Sequence, residues 1–404
     1  MFHVKRRGIA ALLLLGLLAL SLGCLGREGP RGWAAPVRLG EIVIVSTNDG
    51  RLDGIDADGR VVWQFPRFWG FTDDSADNLD GIYGKPIIAP YDGQDVVFVG
   101  DYNGYVYAFR PDDFQAGITV NNPPAASFEL DGSVIGGLAL DTAADALYVT
   151  SGNLVYGLKA SDLVRLIDSN NAAVAAVGPA PEGEQAGVLF RAGEDIWGEP
   201  VLADGKLLIS SLDGGLYAIE PASGALLWHF EVDRGLSSTP VVVGDVVLVS
   251  GFGSKLYGVA LADGSERWEY QADHWIWGHA AIDGDLAYVG DFAGVVHAVD
   301  VKSGLAEWSL ALEQGSIRAS PALAGDTLIV STDDGWIGGI DLEARDVVWQ
   351  HQVDTRLNAD MTVEADRVLI APRGCVTPEG ASDRIYYTSL NPSNGDLSFT
   401  SEVC

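Results

Sequence analysis

The sequence is poor in lysine, cysteine and positive charge, and each shortage narrows what the chain can do. Its 25 basic side chains are outnumbered by 56 acidic ones, which gives a formal net charge of −31 at pH 7. A surface that binds nucleic acid or anionic lipid needs a positive field. The charge balance therefore argues against nucleic acid and against an anionic lipid surface as partners.

Only three cysteines occur, and no Cys-x-x-Cys or Cys-x-x-Cys-His motif is present. The sequence therefore gives no sign of a zinc clamp or an attached c-type haem, and we predict no metal site. With Cys24 assigned to a lipid anchor, Cys375 and Cys404 remain as an even pair in an oxidising compartment. We place them in the second-to-third strand turn and after the fourth strand of the last repeat, on one face, and predict a disulfide between them.

The only long apolar run lies at the N-terminus, where Lys5, Arg6 and Arg7 precede a stretch from Ile9 to Leu20. This pattern is typical of a signal peptide rather than of a membrane-spanning helix. The following Leu-Ser-Leu-Gly-Cys24 resembles a bacterial lipobox, although a serine stands where an aliphatic residue is usual. We predict a signal peptide over 1–23, a lipid-anchored linker over 24–32 and export to the cell envelope, periplasmic or on the outer surface. Ordinary secretory cleavage without a lipid is the alternative.

Sustained helical periodicity of core length is also lacking, and a repeat of roughly 40 residues takes its place. Ser238-Thr-Pro240 recurs as Ala319-Ser-Pro321, and each unit holds four short β-rich runs separated by Gly, Asp or Asn turns. The sequence thus predicts an all-β fold over 33–404: an eight-bladed β-propeller of four-stranded antiparallel blades, closed by packing between blades eight and one. The positions equivalent to the proline are 36, 86, 138, 200, 240, 280, 321 and 361.

A tryptophan recurs in the fourth strand of five units, where blades should pack on their neighbours. Phe114, Leu166 and Phe399 are expected to replace tryptophan in three units. Longer connections at 66–82, 116–133 and 167–195 are expected between blades, on the face that holds the channel mouth. The tryptophans with this predicted structural role are Trp63, Trp228, Trp268, Trp308 and Trp349.

Positions just before each innermost strand repeat in place but differ in chemistry. They should ring one mouth of the axial channel, and convergent aromatic and polar groups at a concave site are typical of a ligand site. The alternative is that these groups simply meet water. The candidate binding residues are Tyr83, Lys85, Trp197, Glu199, Trp277, His279, Arg318 and Asp360.

The segment from Ser210 to Trp228, Ser-Ser-Leu-Asp-Gly-Gly-Leu-Tyr-Ala-Ile-Glu-Pro-Ala-Ser-Gly-Ala-Leu-Leu-Trp, resembles the PQQ-like (quinoprotein-type) β-propeller repeat. Together with the lipobox, the chain is similar to the BamB-like lipoprotein subgroup of that family. The resemblance covers essentially all of 33–404 and implies the propeller fold. It leaves function open, because the family includes both dehydrogenases and non-catalytic scaffolds.

Three functions are therefore compared. The preferred one is a non-catalytic, extracytoplasmic lipoprotein scaffold that binds a protein or peptide partner through its loop-rich face. It would be a monomeric propeller without a cofactor, and envelope protein assembly is one role of this kind. The second is a dehydrogenase that uses PQQ with calcium, although the Cys-Cys pair usual in such enzymes is missing. The third is a carbohydrate-binding surface protein that stacks sugars on Trp69, Trp197 or Trp277.

Overall fold

The computed structural model describes residues 34–46, 51–58, 60–65, 81–114, 125–168, 173–353, 356–364, 367–370 and 385–402. These residues form four-stranded antiparallel sheets, and in each sheet the strands are hydrogen-bonded in chain order. The sheets are numbered here as blades one to eight along the chain. Cys24, Trp69, Cys375 and Cys404 lie outside the described residues, and so does most of the segment 66–82.

The first four blades contain the longer connections. Blade one is β1 (Val37–Leu39), β2 (Ile42–Ser46), β3 (Leu52–Ile55) and β4 (Val61–Phe65). Blade two is β5 (Ile87–Tyr91), β6 (Gln94–Gly100), β7 (Tyr105–Phe109) and β8 (Ala125–Glu129). Blade three is β9 (Gly137–Asp141), β10 (Ala146–Ser151), β11 (Leu154–Lys159) and β12 (Val188–Arg191). Blade four is β13 (Val201–Ala203), β14 (Lys206–Ser210), β15 (Gly215–Ile219) and β16 (Leu226–Glu231).

The last four blades follow one another closely. Blade five is β17 (Val241–Val243), β18 (Val246–Ser250), β19 (Lys255–Ala260) and β20 (Glu266–Gln271). Blade six is β21 (Ala281–Asp283), β22 (Leu286–Gly290), β23 (Val295–Asp300) and β24 (Ala306–Ala311). Blade seven is β25 (Ala322–Ala324), β26 (Thr327–Ser331), β27 (Trp336–Asp341) and β28 (Asp346–Gln352). Blade eight is β29 (Thr362–Val363), β30 (Val368–Ile370), β31 (Ile385–Leu390) and β32 (Leu397–Glu402), and most side chains of its last two strands are outside the description.

Burial along each strand explains why the residue types differ between strands. The second strand of blade five, Val-Val-Leu-Val-Ser, is buried at every position because the adjacent blades cover both of its faces. The fourth strand, Glu266–Gln271, is mostly exposed, and Trp268 is its one fully buried residue. Apolar β-branched runs therefore form the inner strands, and alternating sequences form the rim.

An apolar cluster fills the gap between each pair of adjacent blades, and the last gap closes the ring. There, Val43, Val45 and Ile55 of blade one pack against Leu369 of blade eight. Next to this cluster, the Arg38 guanidinium is paired with the Glu364 carboxylate. Since each sheet is built from one continuous stretch of chain, the ring closes by packing between blades eight and one and not by a shared blade.

The fold-class prediction needs correction in blades two and three. Phe114 lies in a 3-10 helix (Pro111–Phe114) and Leu166 in an α-helix (Ala160–Asp168), so neither belongs to a fourth strand. The fourth strands are instead β8 and β12, further along the chain. The α-helix was not predicted, and its buried residues Ala160, Leu163, Val164 and Ile167 pack into the cluster between these two blades.

The predicted position of two insertions is also wrong. First and third strands run away from the channel mouth and second and fourth strands return to it, so third-to-fourth connections lie on the opposite face. The α-helix begins such a connection in blade three, and in blade two the described ends of β7 and β8 that are joined by an insertion lie at the same opposite face. Among the described residues, no helix is long and apolar enough to cross a membrane.

Candidate binding site at the channel mouth

The segments that lead into the innermost strands meet at the propeller axis and surround a cavity of about 580 Å³. Each segment occupies the same position in its repeat, so its side chains reach the same level of the channel. All the candidate residues named from the sequence line this one cavity: Tyr83, Lys85, Trp197, Glu199, Trp277, His279, Arg318 and Asp360. That they bind a ligand remains a prediction.

The side chains nearest the axis link each blade to the next. The Glu199 N–H donates to Thr239 Oγ1 at 3.0 Å, and the His279 N–H donates to Ser320 Oγ at 2.9 Å. The Ser320 N–H donates in turn to Asp360 Oδ1 at 2.6 Å. These N–H groups precede the first ladder bond of their strands, so side chains of the next blade satisfy them. Part of the polar ring is therefore structural.

Glu199 crosses a gap in this ring. The equivalent residue of blade three is Gly137, which has a φ of +107° and no side chain to offer. Glu199 therefore reaches past it, and its Oε1 accepts the Lys85 N–H at 3.2 Å. A Cβ on Gly137 would lie 3.2 Å from Glu199 Cγ, so the glycine leaves room for the carboxyl group.

Glu199 is half-buried at the cavity, and the protein packed around it excludes much of the water from its carboxyl group. Burial raises the pKa of Glu199, and the negative charge of Asp360 adds to the rise. The Lys85 N–H and the charges of His279 and Lys85 oppose these effects without cancelling them. The cavity thus disfavours a bare negative charge at this position.

Ser320, His279 and Asp360 lie together, but their geometry is not that of a nucleophilic triad. The Ser320 Oγ is 2.8 Å from His279 Nδ1, and Asp360 Oδ2 is 3.5 Å from the same nitrogen. In a catalytic triad the hydroxyl and the carboxylate lie at opposite nitrogens of the ring. One nitrogen then accepts the hydroxyl proton, while the carboxylate at the other nitrogen stabilises the resulting imidazolium. The arrangement therefore gives no support to an acyl-transfer site.

Indole rings form one wall of the cavity. The ring centroids of Trp197 and Trp277 are 5.3 Å apart although the residues belong to blades four and six. The equivalent residue of the intervening blade is Ser237, whose small side chain lets the two indoles meet. The Arg318 guanidinium lies over Trp277 at 5.6 Å and over Phe292 at 5.0 Å, in the range of cation–π contacts.

The aromatic surface continues from this wall to the rim. Phe252 packs edge-on against Trp277 at 5.4 Å and against Trp275 at 5.3 Å. Trp275 also contacts Phe292 at 5.8 Å and is 42% exposed. On the blade-two side, Tyr83 lies 5.7 Å from Tyr102. We call Trp275, Trp277, Phe252 and Phe292 the aromatic rim patch.

Tyr102 and the outer members of this patch are not among the residues predicted from the sequence. Tyr102, Phe252 and Phe292 each stand second in the turn between the second and third strands of their blades. Their common position was available from the repeat, because those turns reach the same face as the segments that enter the innermost strands. The signal for Trp275 was weaker, since it lies in a connection between blades.

The residues around the cavity do not fit a quinone held by calcium. The described part of the chain contains no group of three His, Cys, Asp or Glu residues able to hold a metal ion. PQQ is a polycarboxylate, and of the two cations at the cavity, Arg318 has its Nε 3.2 Å from Asp333 Oδ2. The other, Lys85, has its charge close enough to Glu199 to act on the pKa of that carboxyl group. No catalytic step is therefore assigned to such a cofactor.

The ring of blades and its axial cavity define a PQQ-like β-propeller repeat protein. The family model described as outer membrane protein assembly factor BamB matches residues 170–277 and again residues 272–401. These matches span more than half of the chain, which therefore belongs to that family. No curated protein matches it significantly.

Two solved structures are similar in fold. The crystal structure of BamB from Moraxella catarrhalis aligns with a TM-score of 0.60 and 17% identity, covering 84% of this chain and 91% of that one. A computationally designed protein, Ika8, aligns with a TM-score of 0.62 and 13% identity, covering 86% of this chain and 95% of that one. At these identities the likeness shows the fold alone.

Proposed function

We propose that the protein is a non-catalytic, extracytoplasmic scaffold that binds a protein or peptide partner on the face of the channel mouth, in the service of envelope protein assembly. Membership of the BamB family supports a scaffold role in protein assembly. The observation that carries the proposal is the aromatic rim patch, with Trp275 42% exposed and backed by Phe252 and Phe292. Exposed aromatic residues supported by packed neighbours are typical of interface hot spots.

The proposal replaces the loop-rich face of the sequence analysis with a surface defined by residues. Two of the three long insertions leave their blades at the opposite face. The mouth face instead combines the aromatic rim patch with Arg318 and the carboxylates of Glu199 and Asp360. A partner segment with an apolar anchor and mixed charge suits this combination.

Site-specific photocrosslinking tests the proposal. A photoreactive phenylalanine analogue replaces Trp275 in one variant and Leu305 in the control. Leu305 is 68% exposed, but it lies in the third-to-fourth strand turn of blade six, on the opposite face. We expect a defined envelope protein to be crosslinked from position 275 and not from position 305, and Phe252→Ala to weaken that crosslink. Equal crosslinking from both positions, or none from position 275, contradicts the proposal.

The lipid anchor is a second part of the proposal and has its own test. The lipobox-like sequence before Cys24 supports acylation of that cysteine. Palmitate labelling in a bacterial host should mark the wild-type protein, and Cys24→Ala should be unlabelled and released from the membrane fraction. Unlabelled wild-type protein would leave an exported protein without an anchor.

A further inference from the structure

Three side chains at the cavity have hydrogen-bonding capacity that the described residues do not use. The Ser237 hydroxyl, both polar atoms of the Asn358 amide and the Trp197 indole N–H are buried without a hydrogen-bond partner there. Ser237 is 5% exposed and Asn358 is 6% exposed, and both line the cavity. Buried polar atoms are nearly always paired in folded proteins, so these groups point to a ligand in the cavity.

The chemistry of these groups defines the ligand. None of the three is charged, and Glu199 with its raised pKa adds a further position where a negative charge is disfavoured. The Asn358 amide both donates and accepts, and so does the Ser237 hydroxyl, while the Trp197 indole only donates. A hydroxyl group of a ligand, which also donates and accepts, can pair with any of them. A neutral ligand rich in hydroxyl groups therefore fits best.

The aromatic wall adds a second requirement. The tilted Trp197 and Trp277 rings, from the blades on either side of that of Ser237, offer an apolar surface against which the apolar face of a sugar ring can pack. The polar groups come from blades four, five and eight, so they approach the axis from several directions. Hydroxyl groups radiate from a sugar ring in this way, whereas an extended peptide presents its amides along two edges. A cavity of about 580 Å³ is within the usual size of small-ligand sites.

We propose that the axial cavity binds a neutral saccharide, which stacks on Trp197 and Trp277 and is hydrogen-bonded by Ser237 and Asn358. The site shares Trp277 with the aromatic rim patch, but its hydrogen-bonding residues Ser237 and Asn358 do not belong to that patch. The two proposals can therefore fail independently. Saccharide binding would give this scaffold a contact to a glycan as well as to a protein.

The test uses the purified full-length chain in detergent, with glucose, maltose, cellobiose and N,N′-diacetylchitobiose as probes. Tryptophan fluorescence and isothermal titration calorimetry should show saturable binding of at least one probe. Ser237→Ala and Asn358→Leu should each weaken binding about tenfold, the loss expected for one hydrogen bond. Trp275→Ala, at the rim, is the matched control and should bind as the wild type does.

The same variants separate ligand binding from damage to the fold. Because the Ser237 and Asn358 polar atoms have no partner in the described structure, removing them should leave the thermal midpoint unchanged or higher. Loss of binding at an unchanged midpoint supports the site. The proposal is overturned if no probe binds at millimolar concentration, or if both variants bind like the wild type. Saturable binding of a neutral tetrapeptide with the same sensitivity to both variants also overturns it, in favour of a peptide site.

Discussion

Gly264→Ala tests how adjacent blades interlock. Gly264 has a φ of +74°, and a Cβ there would lie 2.6 Å from Trp228 Cε3 in the preceding blade. The left-handed backbone costs an alanine about 1–2 kcal/mol, and displacing the buried indole adds about 1–3 kcal/mol. The indole N–H also donates to the Leu261 carbonyl at 3.0 Å, so it cannot move freely. We therefore expect a loss of about 2–5 kcal/mol in the free energy of unfolding, measured by urea titration.

Gly244→Ala is the matched control within the same blade. Gly244 has a φ of +60°, but nothing lies within 4 Å of a Cβ built on it. Gly244→Ala should lower the free energy of unfolding only by the backbone cost of about 1–2 kcal/mol. Equal losses for the two variants would refute the claim that the contact with Trp228 holds the blades together.

Blade seven supplies a natural comparison. Arg345 occupies the position equivalent to Gly264 with a φ of +57°, and the tryptophan it should cover, Trp308, is only half-buried. By contrast, Trp228 and Trp268 are each 8% exposed behind glycines. The indole is therefore less buried where an arginine replaces the glycine at this position. Arg345→Gly should not lower stability, since it relieves the left-handed strain of the arginine backbone.

Three further variants address buried polar groups. Burial opposes ionisation of Asp291, but hydrogen bonds from His297 and from backbone N–H groups lower its pKa. Asp291→Asn should therefore destabilise the fold at pH 7, and the urea midpoints should converge as the pH falls through and below the ordinary carboxyl pKa of about 3.9. Glu199→Gln should have the opposite effect on stability at pH 7. Because the pKa of Glu199 is raised, the variant should exceed the wild type in stability at pH 7, and the difference should vanish near pH 4. Trp268→Phe removes the N–H that donates to the Val301 carbonyl at 2.8 Å and should cost about 1–3 kcal/mol in the same urea assay, whereas an unchanged midpoint would show that this bond is dispensable.

The helix in blade three shows a signal that the sequence carried and that was overlooked. Its buried residues stand at 160, 163, 164 and 167, which is the spacing of one helical face. The helix has only nine residues and interrupts a β repeat, so the repeat pattern predicts a strand around Leu166 instead. The Arg110 guanidinium, paired with Asp168 at 2.8 Å, fixes its end to blade two. That contact joins residues far apart in the chain and could not be predicted from local pattern.

The sequence by itself determined which residues reach the channel mouth. Position within a repeat sets both the strand and the face, so residues such as Trp197, Trp277 and His279 had to converge once the repeats formed a ring. The same logic failed where a repeat was interrupted, because an insertion shifts every later strand of its blade.

Only the tertiary structure decided how the converged side chains use their polar atoms. The side chains of Ser320 and Asp360 both approach the same ring nitrogen of His279. The Glu199 carboxyl group reaches across Gly137 and accepts the Lys85 N–H. The side-chain polar atoms of Ser237 and Asn358 have no hydrogen-bond partner among the described residues, although their repeats resemble the others. Hydrogen bonds depend on distances of a few tenths of an ångström between different blades. A repeat pattern specifies the blade and the level in the channel, but not those distances.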